Sequence, residues 1–206
     1  IGGMIAMRQP EIAGLILLSG SGSNGRDAFM RQSAAIAKAS GIPEEIINKQ
    51  QTFLDEVYEE KKKAPLEFPR VQELFQNHFN ELTDQQKLDY GMTSMAEVTF
   101  SLLRSPWMSF YFDYDPRTAL AYLKCPILSI FGEKDLQTDP ESQMPAIRAA
   151  TEVAQNLDFE QEVMPGLNHM LQPAETGSPR EYWAIEKTID ESVLELISNW
   201  LNRRMK

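Results

Sequence analysis

Ile127-Leu128-Ser129-Ile130-Phe131-Gly132-Glu133-Lys134-Asp135 decides the fold. A short run of large apolar residues closed by glycine and an acidic turn has the length and composition of a strand covered on both faces. A strand ending in such a turn puts the carboxylate of Asp135 at the C-terminal rim of a sheet, where open parallel sheets gather their ligands. Two further runs have strand length, Leu15 to Leu18 upstream and Phe159 to Met164 downstream. The first reads as fully buried; the second alternates with acidic residues and reads as lying nearer an edge. Strands of this kind joined through helical stretches predict an α/β fold with a parallel sheet.

From about Asp27 to Arg104 the sequence reads as helix almost throughout, with Gly41-Ile42-Pro43 and Phe68-Pro69 marking breaks and starts. That stretch is too long for a simple crossover. It is expected to form a helical cap, residues 27–104, inserted into a core made of 1–26 and 105–206. The exit from the cap carries Trp107, Met108, Phe110 and Tyr111, which with Met170 are candidates for lining a substrate pocket. The competing reading is that these aromatics glue the cap to the core. Met144 to Ala154 has helix-forming composition. Thr188-Ile189-Asp190-Glu191 fits a capping box ahead of the stripe Val193, Leu194, Leu196, Ile197, Trp200 and Leu201.

A chain of 206 residues, 42% of them hydrophobic, is long enough for one sizeable core. Its formal net charge of -10 repels polyanions, and no basic stripe offsets it, so nucleic acid is not an expected partner. The basic run Lys61-Lys62-Lys63 reads as a solvated helix face. The single Cys125 excludes an internal disulfide and reads as a buried, unreactive thiol. No apolar stretch is long enough to span a membrane. No metal-ligand spacing is present, so no metal and no cofactor are expected. The opening Ile1-Gly2-Gly3-Met4 reads as a chain whose upstream segment is missing.

His169 follows the third run in Pro165-Gly166-Leu167-Asn168-His169-Met170. An acid and a histidine at the ends of successive strands can meet across adjacent loops. The carboxylate of Asp135 would then fix the imidazole tautomer and leave the other ring nitrogen free to take a proton from a nucleophile. The order acid then histidine is that of the α/β-hydrolases, in which the serine comes first. His78 lies in the helical stretch with no obvious acidic partner and reads as a surface or packing residue.

Several segments together, Ser105-Pro106-Trp107 through Asp113-Tyr114-Asp115-Pro116, Lys124-Cys125-Pro126-Ile127-Leu128, Gly132 to Gln137, Gly166-Leu167-Asn168-His169 and Glu175-Thr176-Gly177-Ser178-Pro179, resemble bacterial α/β-hydrolases of the esterase and serine-aminopeptidase-like group. The resemblance implies an eight-stranded sheet of which this chain holds the last three strands. It also implies that Ile1-Gly2-Gly3 closes the nucleophile elbow, with the serine immediately before Ile1 and the Ile1 amide as an oxyanion donor. Two departures stand out: the upstream strands and serine are absent, and only Gly2 to Gln9 stands where the family has a longer helix. Losing the serine lowers turnover on the order of a million-fold in comparable triads, so the chain alone is expected to be nearly inert. Three parallel strands without their neighbours would leave one edge unpaired, which predicts self-association or a complementary N-terminal half.

Gly20-Ser21-Gly22-Ser23-Asn24-Gly25 after Leu15 to Leu18 also fits a strand, G-x-G-x-x-G, helix fingerprint for a dinucleotide. No second strand with a terminal acidic residue follows about 20 residues on, as that fold requires. Three functions remain open: hydrolysis of an ester or small amide in the intact protein, dinucleotide binding through Gly20 to Gly25, and a non-catalytic remnant that binds or assembles but performs no chemistry.

Overall fold

In the computed structural model, which describes residues 1–9, 11–63, 69–89 and 105–204, strand β2 (Ile127–Gly132) is the middle of a three-stranded sheet. β1 (Leu15–Leu18) and β3 (Phe159–Met164) flank it, both parallel to it, with Leu15 opposite Ile127 and Ile127 opposite Phe159. The chain therefore has an α/β fold with a parallel sheet. Parts of the helical stretch expected between the first two strands, 64–68 and 90–104, lie outside the described residues.

Two compact units divide the chain, one of residues 1–32 with 114–206 and one of 33–113. The first contains the sheet and α1 (Gly2–Arg8), α7 (Arg117–Leu120), α8 (Pro140–Val153) and α9 (Glu191–Arg204). Helix α2 (Gly25–Ala39) begins in it and runs on into the second. The second also holds α3 (Glu44–Lys63), α4 (Pro69–Glu81), α5 (Asp84–Asp89) and α6 (Pro106–Asp113). Where the chain leaves the sheet unit and where it returns are tied together, because the Gly25 amide donates to the Tyr114 carbonyl at 3.1 Å.

Side chains alternate across a strand, so each face of the sheet collects every second residue. Ile127 and Phe131 point to one side and pack with Ala6, Leu120, Leu123, Ile147 and Ala150. Leu128 and Ile130 point to the other and pack with Leu167, Leu171, Val193 and Trp200. Every residue of β2 is buried, as its composition requires. β1 departs from the expectation of full burial: three of its residues are half-buried and Leu18 is 48% exposed. Its reason is position, since among the described residues β1 pairs only with β2 and is an edge strand. β3 is the other edge, and its Glu160 is met by Arg203 and Arg204 at the end of α9, both at 2.8 Å.

Local signals account for most helix ends. α8 begins four residues before Met144, at Pro140, because Asp139 caps it by accepting the Ser142 amide at 2.9 Å and Pro140 stands at its first position. α9 is capped by Asp190, which accepts the Ser192 amide, rather than by Thr188 at the head of a capping box. In the helical unit the run Lys61 to Lys63 is not a uniformly solvated face. Lys61 follows Phe53 and Val57 at helical spacing and is buried with them, its Nζ lying 5.4 Å from the centre of the Phe112 ring. His78 stacks flat on Phe53 at 4.0 Å, a packing role.

Gly132, the last residue of β2, passes very close to the loop that follows β3. A Cβ there would lie 2.3 Å from the Leu167 carbonyl oxygen and 2.4 Å from that of Asn168. Only glycine fits without displacing backbone. Gly132→Ala is expected to destabilise the sheet unit by about 1–3 kcal/mol, the usual range for overpacking a closed site, as read from urea unfolding. An alanine variant as stable as the native chain would show that the loop is free to move away.

Candidate active site

Asp135 and His169, far apart in sequence, meet beyond the C-terminal ends of β2 and β3. The Nδ1 atom of His169 lies 3.0 Å from Oδ2 and 3.2 Å from Oδ1 of Asp135. An ionised carboxylate only accepts hydrogen bonds, so Nδ1 is the donor and carries the proton. Nε2 is thereby left as the basic nitrogen, and no described residue forms a hydrogen bond with it. The His169 side chain is one-quarter exposed, whereas that of Asp135 is completely enclosed.

A buried carboxylate needs donors, and the turn after β2 supplies them. Oδ1 of Asp135 accepts the amides of Gln137 and Thr138, each at 2.8 Å, and Oδ2 accepts the Thr138 hydroxyl at 2.8 Å. Burial pushes the Asp135 carboxyl up. The hydrogen bond and charge of His169, with the amide and hydroxyl of Thr138, outweigh it and hold the group below its ordinary value.

The His169 loop is built around Asn168, which is fully buried. Its side-chain oxygen accepts the amides of Met170 and Gln172 at 2.9 and 3.0 Å, and its own amide donates to the Gln172 carbonyl. Leu171, at a φ of 57°, turns the chain back so that its side chain enters the core. On the other side of the site, Gly177 sits at a φ of 80°, where a Cβ would strike the Lys134 carbonyl. Lys134 donates to the Ala174 carbonyl at 2.7 Å, and Gln137 donates to the Tyr182 hydroxyl at 2.8 Å. Tyr182 belongs to a short 3-10 turn, Pro179–Ala184, capped by Ser178. The Asp135 turn is thus held from both sides.

Ile1 precedes α1, is 82% exposed, and makes no hydrogen bond to Asp135 or His169. Met170 adjoins His169 and is half-exposed. Trp107, Met108, Phe110 and Tyr111 stand on α6 in the helical unit. There Trp107 stacks on Tyr111 at 5.3 Å, and Met108 is buried, its amide held by the Ser105 hydroxyl. Thr138, Asn168 and Ser19 were not apparent as site residues from the sequence. A threonine three residues after the acid and an asparagine before the histidine were the signals available for the first two.

The glycine-rich turn after β1 has a structural occupant. The side-chain oxygen of Gln143, on α8, accepts the Gly22 amide at 2.7 Å and lies near the hydroxyls of Ser21 and Ser23. A Cβ on Gly22 would lie 2.6 Å from the Gln143 carbonyl. The glycine serves close packing against α8, and the amide that a pyrophosphate would need is already used. The Cys125 thiol is partly buried at the edge of the core, and burial pushes its pKa up. Among the described residues no cluster of side chains could hold a metal ion, and no helix is long and apolar enough to cross a membrane.

No family model and no curated protein matches the chain. Among solved structures it is similar to the proline iminopeptidase of Mycobacterium smegmatis, with 18% identity, 98% of this chain and 61% of that one covered, and a TM-score of 0.42. It is also similar to VinJ, with 14% identity, 99% of this chain and 62% of that one covered, and a TM-score of 0.43. The chain spans about six-tenths of the length of either.

The depressed carboxyl of Asp135 makes a signed prediction. A group whose folded pKa lies below its unfolded value stabilises the fold fully above the unfolded value and loses that contribution as pH falls through the folded one. Stability measured by urea unfolding is expected to fall below about pH 4, the ordinary aspartate range, and to fall less steeply in Asp135→Asn. Equal acid limbs in the two proteins would mean that Asp135 gains nothing from its surroundings.

Proposed function

We propose that the chain is the acid and base half of a serine hydrolase of the α/β-hydrolase type, acting on an ester or a small amide. The observation that carries this is the contact between Nδ1 of His169 and the enclosed carboxylate of Asp135, with Nε2 left without a partner among the described residues. His169 takes the proton from the attacking hydroxyl through Nε2 and returns it to the leaving group. Asp135 holds the tautomer and stabilises the imidazolium as it forms.

The attacking hydroxyl is assigned to a serine immediately ahead of Ile1 in the whole protein, and the Ile1 amide to one oxyanion donor. Support for this comes from the resemblance of Ile1-Gly2-Gly3 to the end of a nucleophile elbow and from the small residues it places on α1. A Cβ on Gly2 would come within 3.2 Å of Leu15 on β1, so α1 lies close against the sheet. Met170, beside His169, is proposed to contact the acyl or amine portion of the substrate.

The two sheet edges differ in a way that bears on partners. β3 carries Glu160 and Glu162, and charges on an edge discourage further pairing. β1 is Leu15-Ile16-Leu17-Leu18, with no charge along its length and Leu18 exposed. We propose that β1 pairs outward, with a strand from an upstream half of the protein or with a second copy.

Two measurements test these readings. The whole protein, with its upstream sequence, is expected to be labelled by a fluorophosphonate and to hydrolyse p-nitrophenyl acetate. His169→Ala should lower kcat on the order of a million-fold and Asp135→Asn about ten-thousand-fold. Full activity in His169→Ala would end the hydrolase reading. In sedimentation velocity the 206-residue chain alone is expected to run larger than a monomer; a single monomeric boundary across a wide concentration range would remove the proposal for β1.

A further inference from the structure

Ser19, the residue after β1, is buried and held at a φ of 48°, a left-handed conformation that a non-glycine residue rarely adopts. Gly20 stands next in the chain, so a glycine at this position would have been an easy substitute for the strained serine. Strain kept at a non-glycine residue beside a site points to a task for its side chain. The Ser19 hydroxyl donates to the main-chain carbonyl of His169 at 2.9 Å. Its own carbonyl accepts the Thr138 hydroxyl at 3.0 Å, and its amide continues the ladder to Ile130 at 2.8 Å.

Thr138 closes the figure. Its Oγ1 lies 3.2 Å from Nδ1 of His169. Because Nδ1 carries a proton for Asp135, the threonine oxygen accepts there, and its single hydrogen is left for the Ser19 carbonyl and for Oδ2 of Asp135. Ser19, Thr138 and His169 then form a closed ring of contacts in which the single Nδ1 hydrogen is shared between Asp135 and Thr138, and the single Thr138 hydrogen between Oδ2 of Asp135 and the Ser19 carbonyl. Ser19 donates to the His169 carbonyl, the His169 ring to Thr138, and Thr138 to the Ser19 carbonyl. The two carbonyls only accept, which fixes the direction of the contacts that end on them, and the proton on Nδ1 fixes the third. A reversed tautomer, with Nδ1 bare, would remove the imidazole's donation to both Thr138 and Asp135.

We propose that Ser19 and Thr138 are positioning residues. They lock the His169 imidazole in one tautomer and one orientation by joining the ends of β1, β2 and β3 in this ring. The role rests on the hydrolase reading for its use in turnover, but the lock itself is a property of this chain. Neither residue touches a reacting atom.

The test uses the 15N-labelled chain, with the His169 ring resonances assigned by comparison with His78→Gln. In the native chain Nδ1 is expected to carry a low-field proton that exchanges slowly with water. Thr138→Val and Ser19→Gly should each speed that exchange by about tenfold or more, as expected when a local closure is opened. Thr138→Ser, which keeps the hydroxyl, should stay within about twofold of native, and the double variant should be little faster than the faster single one because the ring fails as a unit. Should Thr138→Val not fold, Ser19→Gly decides alone by the same criterion, since glycine keeps the left-handed backbone. Folded variants with native exchange and tautomer overturn the proposal.

In the whole protein the same two variants should lower kcat about tenfold to a hundredfold with KM unchanged, the scale of a small misplacement of a catalytic group. If the whole protein proves inactive while the exchange results are as expected, the hydrolase reading fails and the lock stands. If the whole protein is active and the variants retain native kcat, the role in turnover is overturned.

Discussion

At Gly132 the main chain of the central strand runs nearly in contact with the carbonyls of Leu167 and Asn168, and the geometry of the site follows from that approach. Two strand ends that close leave no room for solvent between their loops. The Asp135 carboxylate is consequently enclosed, which would be unfavourable without compensation. Compensation comes from the same turn, through two amides and the Thr138 hydroxyl, and from His169 across the gap. No arginine or lysine is hydrogen-bonded to the carboxylate among the described residues. Uncharged donors satisfy the anion here without pinning it in a tight ion pair.

This differs in kind from the ionic contacts elsewhere. Arg203 and Arg204 meet Asp158 and Glu160 near the surface, where such contacts contribute little to stability and fade with salt. Their effect is local: they finish α9 against β3 and offset the acidic residues of an edge strand. The Asp135 and His169 pair works in a drier setting, where each hydrogen bond is stronger and each missing one costs more.

What the sequence made legible was the part of the fold that depends on local pattern. β2 was readable because its apolar run is closed by a glycine turn. The contact of Asp135 with His169 was readable because each follows a strand and the two strands are neighbours. Ser19 was not, since it becomes a neighbour of His169 only when the sheet brings position 19 beside a residue 150 positions away. Thr138 does not stand out in the sequence although it lies three residues from the acid, because a threonine in a turn has many ordinary uses. The exposure of β1 could not be read from its composition, which is that of a strand with neighbours on both sides. The burial of Lys61 lies in the helical spacing that aligns it with Phe53 and Val57, a signal that the charge of the run masks. Asp139 and Pro140, by contrast, form a plain helix start, so the true beginning of α8 was available in the residues.

The hydrogen bond between Gly25 and Tyr114 gives the insertion of the helical unit an unexpected economy. Residues 33–113 leave and return where that bond ties the chain, so the sheet experiences them as a closed loop with fixed ends. The entropy of closing a loop grows only with the logarithm of its length, by about 0.6 kcal/mol for each doubling. A stretch of some 80 residues in place of one of 20 therefore adds roughly 1 kcal/mol to that entropic cost, less than the loss of one well-packed core side chain. The length of the helical unit is therefore nearly invisible to the sheet, which would bear a longer or shorter insertion between the same two ends with little change in entropy.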